Sequence, residues 1–184
     1  MNTLTIVHDF LRRHVRPGAF CIDATAGRGR DTALLCRLAG EQGRVLAFDI
    51  QDDAIRQTRA LLESEGLRAE VIQDSHANMA QYASPGTVDC IVFNFGRLPG
   101  GDPKIFTTAA SSLPAIDAGL DLLRPGGIMA LALYYGKENG YDEKNAILSH
   151  LKSINDRIFT VLACDWPNRR NDPPLPIFIW KEPV

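Results

Sequence analysis

The sequence is poor in the features that mark several protein classes. It has only four cysteines (Cys21, Cys36, Cys90 and Cys164), with no Cys-x-x-Cys pair and no Cys/His ligand group. That argues against a disulfide scaffold or a zinc module. The four read as free thiols of a reducing compartment, Cys21 and Cys90 within apolar strand-like runs. Long hydrophobic stretches are missing too. Runs such as Ile128–Tyr135 fall far short of the ~20 residues that cross a bilayer. The first fifteen residues hold no apolar signal-peptide core, so a cytoplasmic location is expected. Charge of one sign is lacking, with 20 basic against 22 acidic residues and a formal net charge of −2. No global basic field points to nucleic acid, and an RNA partner would need a local cluster of Arg and Lys. No repeat, low-complexity tract or linker interrupts the chain.

What is present is an ordinary globular balance, 45% hydrophobic and 23% charged over 184 residues, which suits a single domain spanning 1–184. Strand-like and helix-like segments alternate. Strands are expected at 19–23, 44–49, 69–73, 88–93 and 128–135, with a last pair at 157–164 and 175–181. Helices are expected at 30–39, from Asp52 to about Glu65, at 108–123 and at 144–154. Pro114 should sit in the first turn of the third of these or break it. Residues 1–15 form an amphipathic stretch in which His8 and His14 read as packing or surface groups. Nearly continuous apolar strands separated by helices imply a doubly wound α/β fold, a mostly parallel seven-stranded sheet ending in an antiparallel hairpin at one edge.

In such a sheet, ligands bind beyond the carboxyl ends of the strands. The first strand ends in Asp23-Ala24-Thr25-Ala26-Gly27-Arg28-Gly29-Arg30-Asp31, a turn that lets a ligand approach backbone and a helix N-terminus. The second ends in Asp49, twenty residues after Gly29, a spacing that suits a carboxylate gripping ribose hydroxyls. A dinucleotide fingerprint wants a third glycine where Thr32 stands. A cationic sulfonium cofactor instead favours acids around the turn, and Asp23 and Asp31 supply them. The third and fourth strands end in Asp74 and in Asn94-Phe95-Gly96.

The stretches D-A-T-A-G-R-G-R-D-T, A-F-D-I-Q, Q-D-S-H, F-N-F-G-R-L-P-G-G-D, L-R-P-G-G-I, Y-Y-G and N-D-P-P-L-P together resemble the YtqB/MnmM-like class I methyltransferases, a family labelled rRNA methylases. The resemblance implies S-adenosylmethionine as cofactor and N-methylation of the aminomethyl group on a wobble thiouridine of tRNA. It places Asp23, Gly27 and Gly29 at the methionine part, Asp49 and Gln51 at the ribose, and Asp74, Ser75 and His76 near adenine. It also implies a methyl-transfer pocket of Asn94, Gly96, Leu98, Pro99, Gly100, Gly101 and Asp102. Arg28, Arg97 and Lys137 depart from the residues expected in relatives.

The candidate cofactor set is thus Asp23, Thr25, Gly27, Gly29, Asp31, Thr32, Asp49, Gln51, Asp74, Ser75, His76 and Asn94. Asn94 and Asp102 are the catalytic candidates: the Asn94 carbonyl accepts an N–H from the substrate amine, and Asp102 or water takes its proton. For substrate, the candidates are Arg97, Leu98, Pro99, Gly100, Gly101, Tyr134, Tyr135 and Arg169, with Arg28, Arg30, Lys104 and Arg170 completing a basic lip for tRNA or another RNA. No metal is expected. The apolar last strand pair is a candidate homodimer surface, although burial in its own sheet explains it equally. Methylation of another RNA site or a small amine, and a non-catalytic or nicotinamide-binding protein, are the alternative readings.

Overall fold

The computed structural model describes residues 2–98, 100–102, 104–136 and 140–183. Helix α1 (Thr3–His14) precedes β1 (Phe20–Asp23), α2 (Arg30–Ala39), β2 (Arg44–Asp49), α3 (Asp52–Ser64) and β3 (Glu70–Gln73). A short 3-10 helix, His76–Gln81, leads to β4 (Val88–Phe95), α4 (Ala109–Leu122), β5 (Leu123–Leu133), α5 (Gly140–Leu151), β6 (Phe159–Ala163) and β7 (Leu175–Lys181). The seven strands form one sheet in the order β3-β2-β1-β4-β5-β7-β6. The first five pair in parallel, whereas β7 runs antiparallel to both β5 and β6. The expected hairpin is therefore present, with β7 inside and β6 at the edge.

Side chains alternate across a strand, and here the alternation sorts the core. Ile22, Ile91, Phe93 and Phe95 pack with Met79 of the 3-10 helix, Ile116 of α4 and Ile147 of α5. Cys21, Cys90 and Val92 face the other way, onto Val7 and Leu11 of α1, Leu35 of α2 and Leu62 of α3. The three buried cysteines are unpaired, and Cys164 is half-buried. Asn94 shares the parity of Cys90 and Val92, so the strand turns it toward α1 and α2.

Several boundaries differ from the sequence-based expectation. Strand β4 runs through Phe95, two residues further than its apolar run suggested, because Asn94 and Phe95 still pair with Ala132 and Leu133. Pro114 lies within the second turn of α4 and does not break it. The carbonyl it leaves without an N–H partner belongs to Ala110, which is exposed and open to water. Helix α4 passes into β5 with no intervening loop, and the Pro125-Gly126-Gly127 segment falls at a register shift against β4. Helix α5 begins and ends earlier than its apolar face indicated, and the 3-10 helix has no counterpart among the expected elements. No described helix is long and apolar enough to cross a membrane.

Candidate active site

The carboxyl ends of β1, β2, β3 and β4 open into one cavity of about 350 Å³, with residues of α1 and of the loop after β4 on its walls. Its floor is the turn from β1 to α2. Gly29 caps α2 in a left-handed conformation (φ +77°) and lies against Thr58 of α3, so a side chain there would meet backbone. The Asp49 carboxylate accepts the Gly27 N–H at 3.0 Å and the Gln51 N–H at 2.9 Å, tying the glycine turn to the start of α3. Beside it Ile50, an apolar side chain 56% exposed, lines the same wall. Asp74 accepts from Ser75 N–H, Asn78 and Tyr82, and the Asn78 bond foremost holds its carboxyl below the usual range. Ser75 caps the 3-10 helix through Ala77 N–H. His76 sits between this end and the Phe93 and Phe95 rings. Its Nε2 is buried with no partner among the described residues, and burial lowers its pKa.

The other end of the cavity is built around Asn94. Its N–H is accepted by the Thr25 hydroxyl at 2.7 Å, and its Nδ2 donates to Asp31 Oδ2 at 2.7 Å. Asp31 Oδ1 lies 2.6 Å from His8 Nε2 of α1. Asp23 stands beneath, fully buried and outside the cavity lining, accepting from Thr25 N–H at 3.2 Å and the Thr32 hydroxyl at 2.6 Å. Burial, then the charge of Asp31, pushes its carboxyl up to about 7. Thr32 is likewise fully buried and outside this lining, where its hydroxyl holds Asp23. Tyr134 borders this end, with its hydroxyl pKa raised by burial and then by Asp31.

The loop after β4 bends at Gly96 (φ +144°), where a side chain would strike Tyr134. Gly96 donates to the Thr107 hydroxyl at 2.7 Å and accepts from Thr107 N–H at 2.8 Å. That hydroxyl donates at 2.9 Å to Glu143 of α5, a buried carboxylate that also accepts from Ser112 at 2.6 Å. Burial raises the Glu143 pKa against these two bonds. Leu98 closes onto Gly27, and the Gly100 and Gly101 backbone passes Arg28 and Gln51 without lining the cavity. Arg97, Ile105 and the exposed Phe106 complete the mouth.

Some sequence-derived candidates fall elsewhere. Asp102 is exposed and outside the lining. One oxygen of its carboxylate accepts the Lys104 N–H at 2.9 Å in a turn, which sets it apart from the cavity that holds Asn94. Tyr135 points away from Tyr134, against Tyr141, with the Lys144 ammonium 3.9 Å over its ring. Arg169 and Arg170 line a separate hollow of about 220 Å³ with Asn2, Thr3 and Trp166. Pro99 and Lys137 lie outside the described residues. No group of three His, Cys, Asp or Glu able to hold a metal occurs among the described residues. Leu4, His8, Ile50, Phe106 and Glu143 were not found from the sequence. The Leu4–His8 spacing, one helical turn on an amphipathic segment, was the available signal for the first two.

A seven-stranded sheet in this order, with a glycine turn after β1 and an acid closing β2, defines the class I S-adenosylmethionine-dependent methyltransferase architecture. The chain belongs to the family described as "Putative rRNA methylase", whose pattern matches residues 45–180. A crystal structure from Clostridium thermocellum, described as a "putative rRNA-methylase", superposes with a TM-score of 0.96 at 39% identity, covering 98% of both chains. A "putative methyltransferase" from Streptococcus mutans, in complex with SAH, gives a TM-score of 0.89 at 34% identity over 98% of both chains. The chloroplastic tRNA (mnm(5)s(2)U34)-methyltransferase of Arabidopsis thaliana is 31% identical over 153 residues, 77% of this chain and 56% of that protein. The chain spans about half the length of the curated relatives it matches.

Proposed function

We propose that the protein is an S-adenosylmethionine-dependent methyltransferase that N-methylates the aminomethyl group of the wobble (thio)uridine in tRNA. The observation that carries the reading is a single cavity with two chemically different ends: the Asp49–Ile50 wall beside a glycine turn, and Asn94 held against Asp31 beside Tyr134 and Phe106. The first end fits an adenosyl group. Asp49 offers its remaining lone pairs to ribose hydroxyls, Ile50 offers an apolar face to a purine, and Asp23 and Asp31 favour a cation near the turn. When bound, S-adenosylmethionine supplies an activated methyl group, so the protein has mainly to align the nucleophile and exclude water. The SAH held by the Streptococcus mutans relative is the demethylated form of that cofactor.

At the second end, an ionised Asp31 can only accept hydrogen bonds, so the Asn94 amide must turn its Nδ2 to it. Oδ1 is then the end left for a substrate N–H, and accepting it aims the amine lone pair at the methyl group. With Asp102 turned outward, water at the mouth takes the departing proton. Tyr134 and Phe106, each 38% exposed, flank Gly96 and offer faces on which an unstacked base can rest. Arg28, Arg30 and Arg97 rim the cavity as phosphate partners. The Arabidopsis relative's name supports tRNA, and the family description favours rRNA as the second reading.

The deciding experiment offers labelled cofactor and three substrates: tRNA bearing the aminomethyl group, tRNA lacking it, and rRNA, each digested to nucleosides afterwards. Label in the modified wobble nucleoside of the first alone is expected. Label in rRNA, or equal label in both tRNA pools, overturns the assignment.

A further inference from the structure

Helix α1 lies outside the alternating β-α units that form the rest of the sheet's cover, yet it reaches the transfer end of the cavity. Leu4 lines the wall, and His8, four residues on and on the same face, meets Asp31 at 2.6 Å. The chain of contacts runs His8 Nε2, Asp31 Oδ1, Asp31 Oδ2, Asn94 Nδ2, with both links at hydrogen-bond distance and Asp31 largely buried. Because the carboxylate is acceptor-only, His8 must present Nε2 with its hydrogen.

We propose that His8 is a positioning residue for methyl transfer. By pinning one oxygen of Asp31 it holds the other against the Asn94 amide, so that Asn94 Oδ1 stays turned toward the incoming amine. Without His8, the Asp31 side chain has a free oxygen and can rotate, and the Asn94 amide loses the contact that selects its orientation. The effect belongs to nucleophile alignment: the Asp31 carboxylate stays beside the turn with or without His8, and the hydrogen bonds that Asp49 accepts come from Gly27 and Gln51. The inference rests on the reading of Asn94 as the amine's acceptor.

The test compares the full-length wild type with His8→Ala and His8→Gln, the latter keeping an N–H donor. Expected for His8→Ala is a fall in kcat of about 10- to 100-fold, with S-adenosylmethionine affinity within two-fold and RNA KM within about three-fold. His8→Gln should recover most of the loss. In parallel, the Asn94 side-chain amide signals in nitrogen-15 NMR, identified by their absence from Asn94→Ala, should shift in His8→Ala and return in His8→Gln. Unchanged kcat, or a loss matched by an equal loss of cofactor affinity, overturns the proposal, as do unmoved Asn94 signals. The NMR arm needs no substrate, so wild-type protein inactive on every RNA would sink the functional reading while the His8 contact is still judged. Should His8→Ala fail to fold, His8→Gln against His8→Leu decides by the same readouts.

Discussion

Gly29 approaches Thr58 so closely that a methyl group at position 29 would stand 2.9 Å from the Thr58 Cα. The contact seats α3 against the cofactor turn, and it combines with a positive φ that an L residue resists. Gly29→Ala should cost about 2 kcal/mol or more and lower Tm by roughly 4–8 °C. Gly18→Ala provides the control, since φ is +83° there but nothing lies within 4 Å. Calorimetric melts of both should differ, and equal losses would refute the steric account.

Asp49→Ala removes the acceptor shared by Gly27 and Gln51 as well as the proposed ribose partner. S-adenosylmethionine affinity measured by titration calorimetry should fall about 10- to 100-fold. A variant that binds the cofactor normally would move the ribose site elsewhere.

The Asp23 carboxyl is raised from 3.8 to about 7 in the folded protein. The folded state therefore holds a proton that the unfolded state has released. This contribution to stability is fully present below 3.8 and is lost as pH rises through 7. In denaturant melts from acid to neutral pH, Asp23→Asn should gain on the wild type as pH increases. A cationic cofactor favours ionised Asp23, so its binding near pH 7 should release protons, visible as a dependence of the calorimetric heat on the buffer. Buffer-independent heats would separate Asp23 from the cofactor.

Replacing Arg169 and Arg170 together by Ala tests whether their hollow carries RNA backbone. Wall residue Thr3 of that hollow is adjacent in sequence to Leu4 of the main cavity. Affinity for tRNA should weaken, and the slope of log K against log salt should drop by about 1.4–1.8. Cofactor affinity should stay unchanged. An unaltered salt slope would confine RNA contact to the cavity rim.

Much of this architecture was legible in the residues. Apolar runs ending in Asp23, Asp49 and Asn94 marked three strand ends, and the structure brings all three to one end of the sheet. What escaped was contact between segments distant in sequence. His8 read as a packing or surface group because nothing local shows that Asp31 lies within hydrogen-bond distance of it. Glu143 fell just before the helix expected at 144–154 and drew no role, whereas in the structure it is buried in the first turn of α5 with Thr107 and Ser112 on its oxygens. Ile50 drew no role from the sequence, where the strand was expected to stop at Asp49 as it does, and the structure sets it on the cavity wall. Asp102 shows the opposite case, since Gly-Gly-Asp-Pro is also a turn sequence and one carboxylate oxygen serves the turn.

The position of β7 between β5 and β6 bears on biosynthesis. Strand β6 pairs with β7 alone, so when its residues leave the ribosome it has no neighbour to join. The sheet is completed only after the later strand has threaded in beside β5. Until then the apolar sequence Phe159–Ala163 remains open to capture by a chaperone or by another nascent chain.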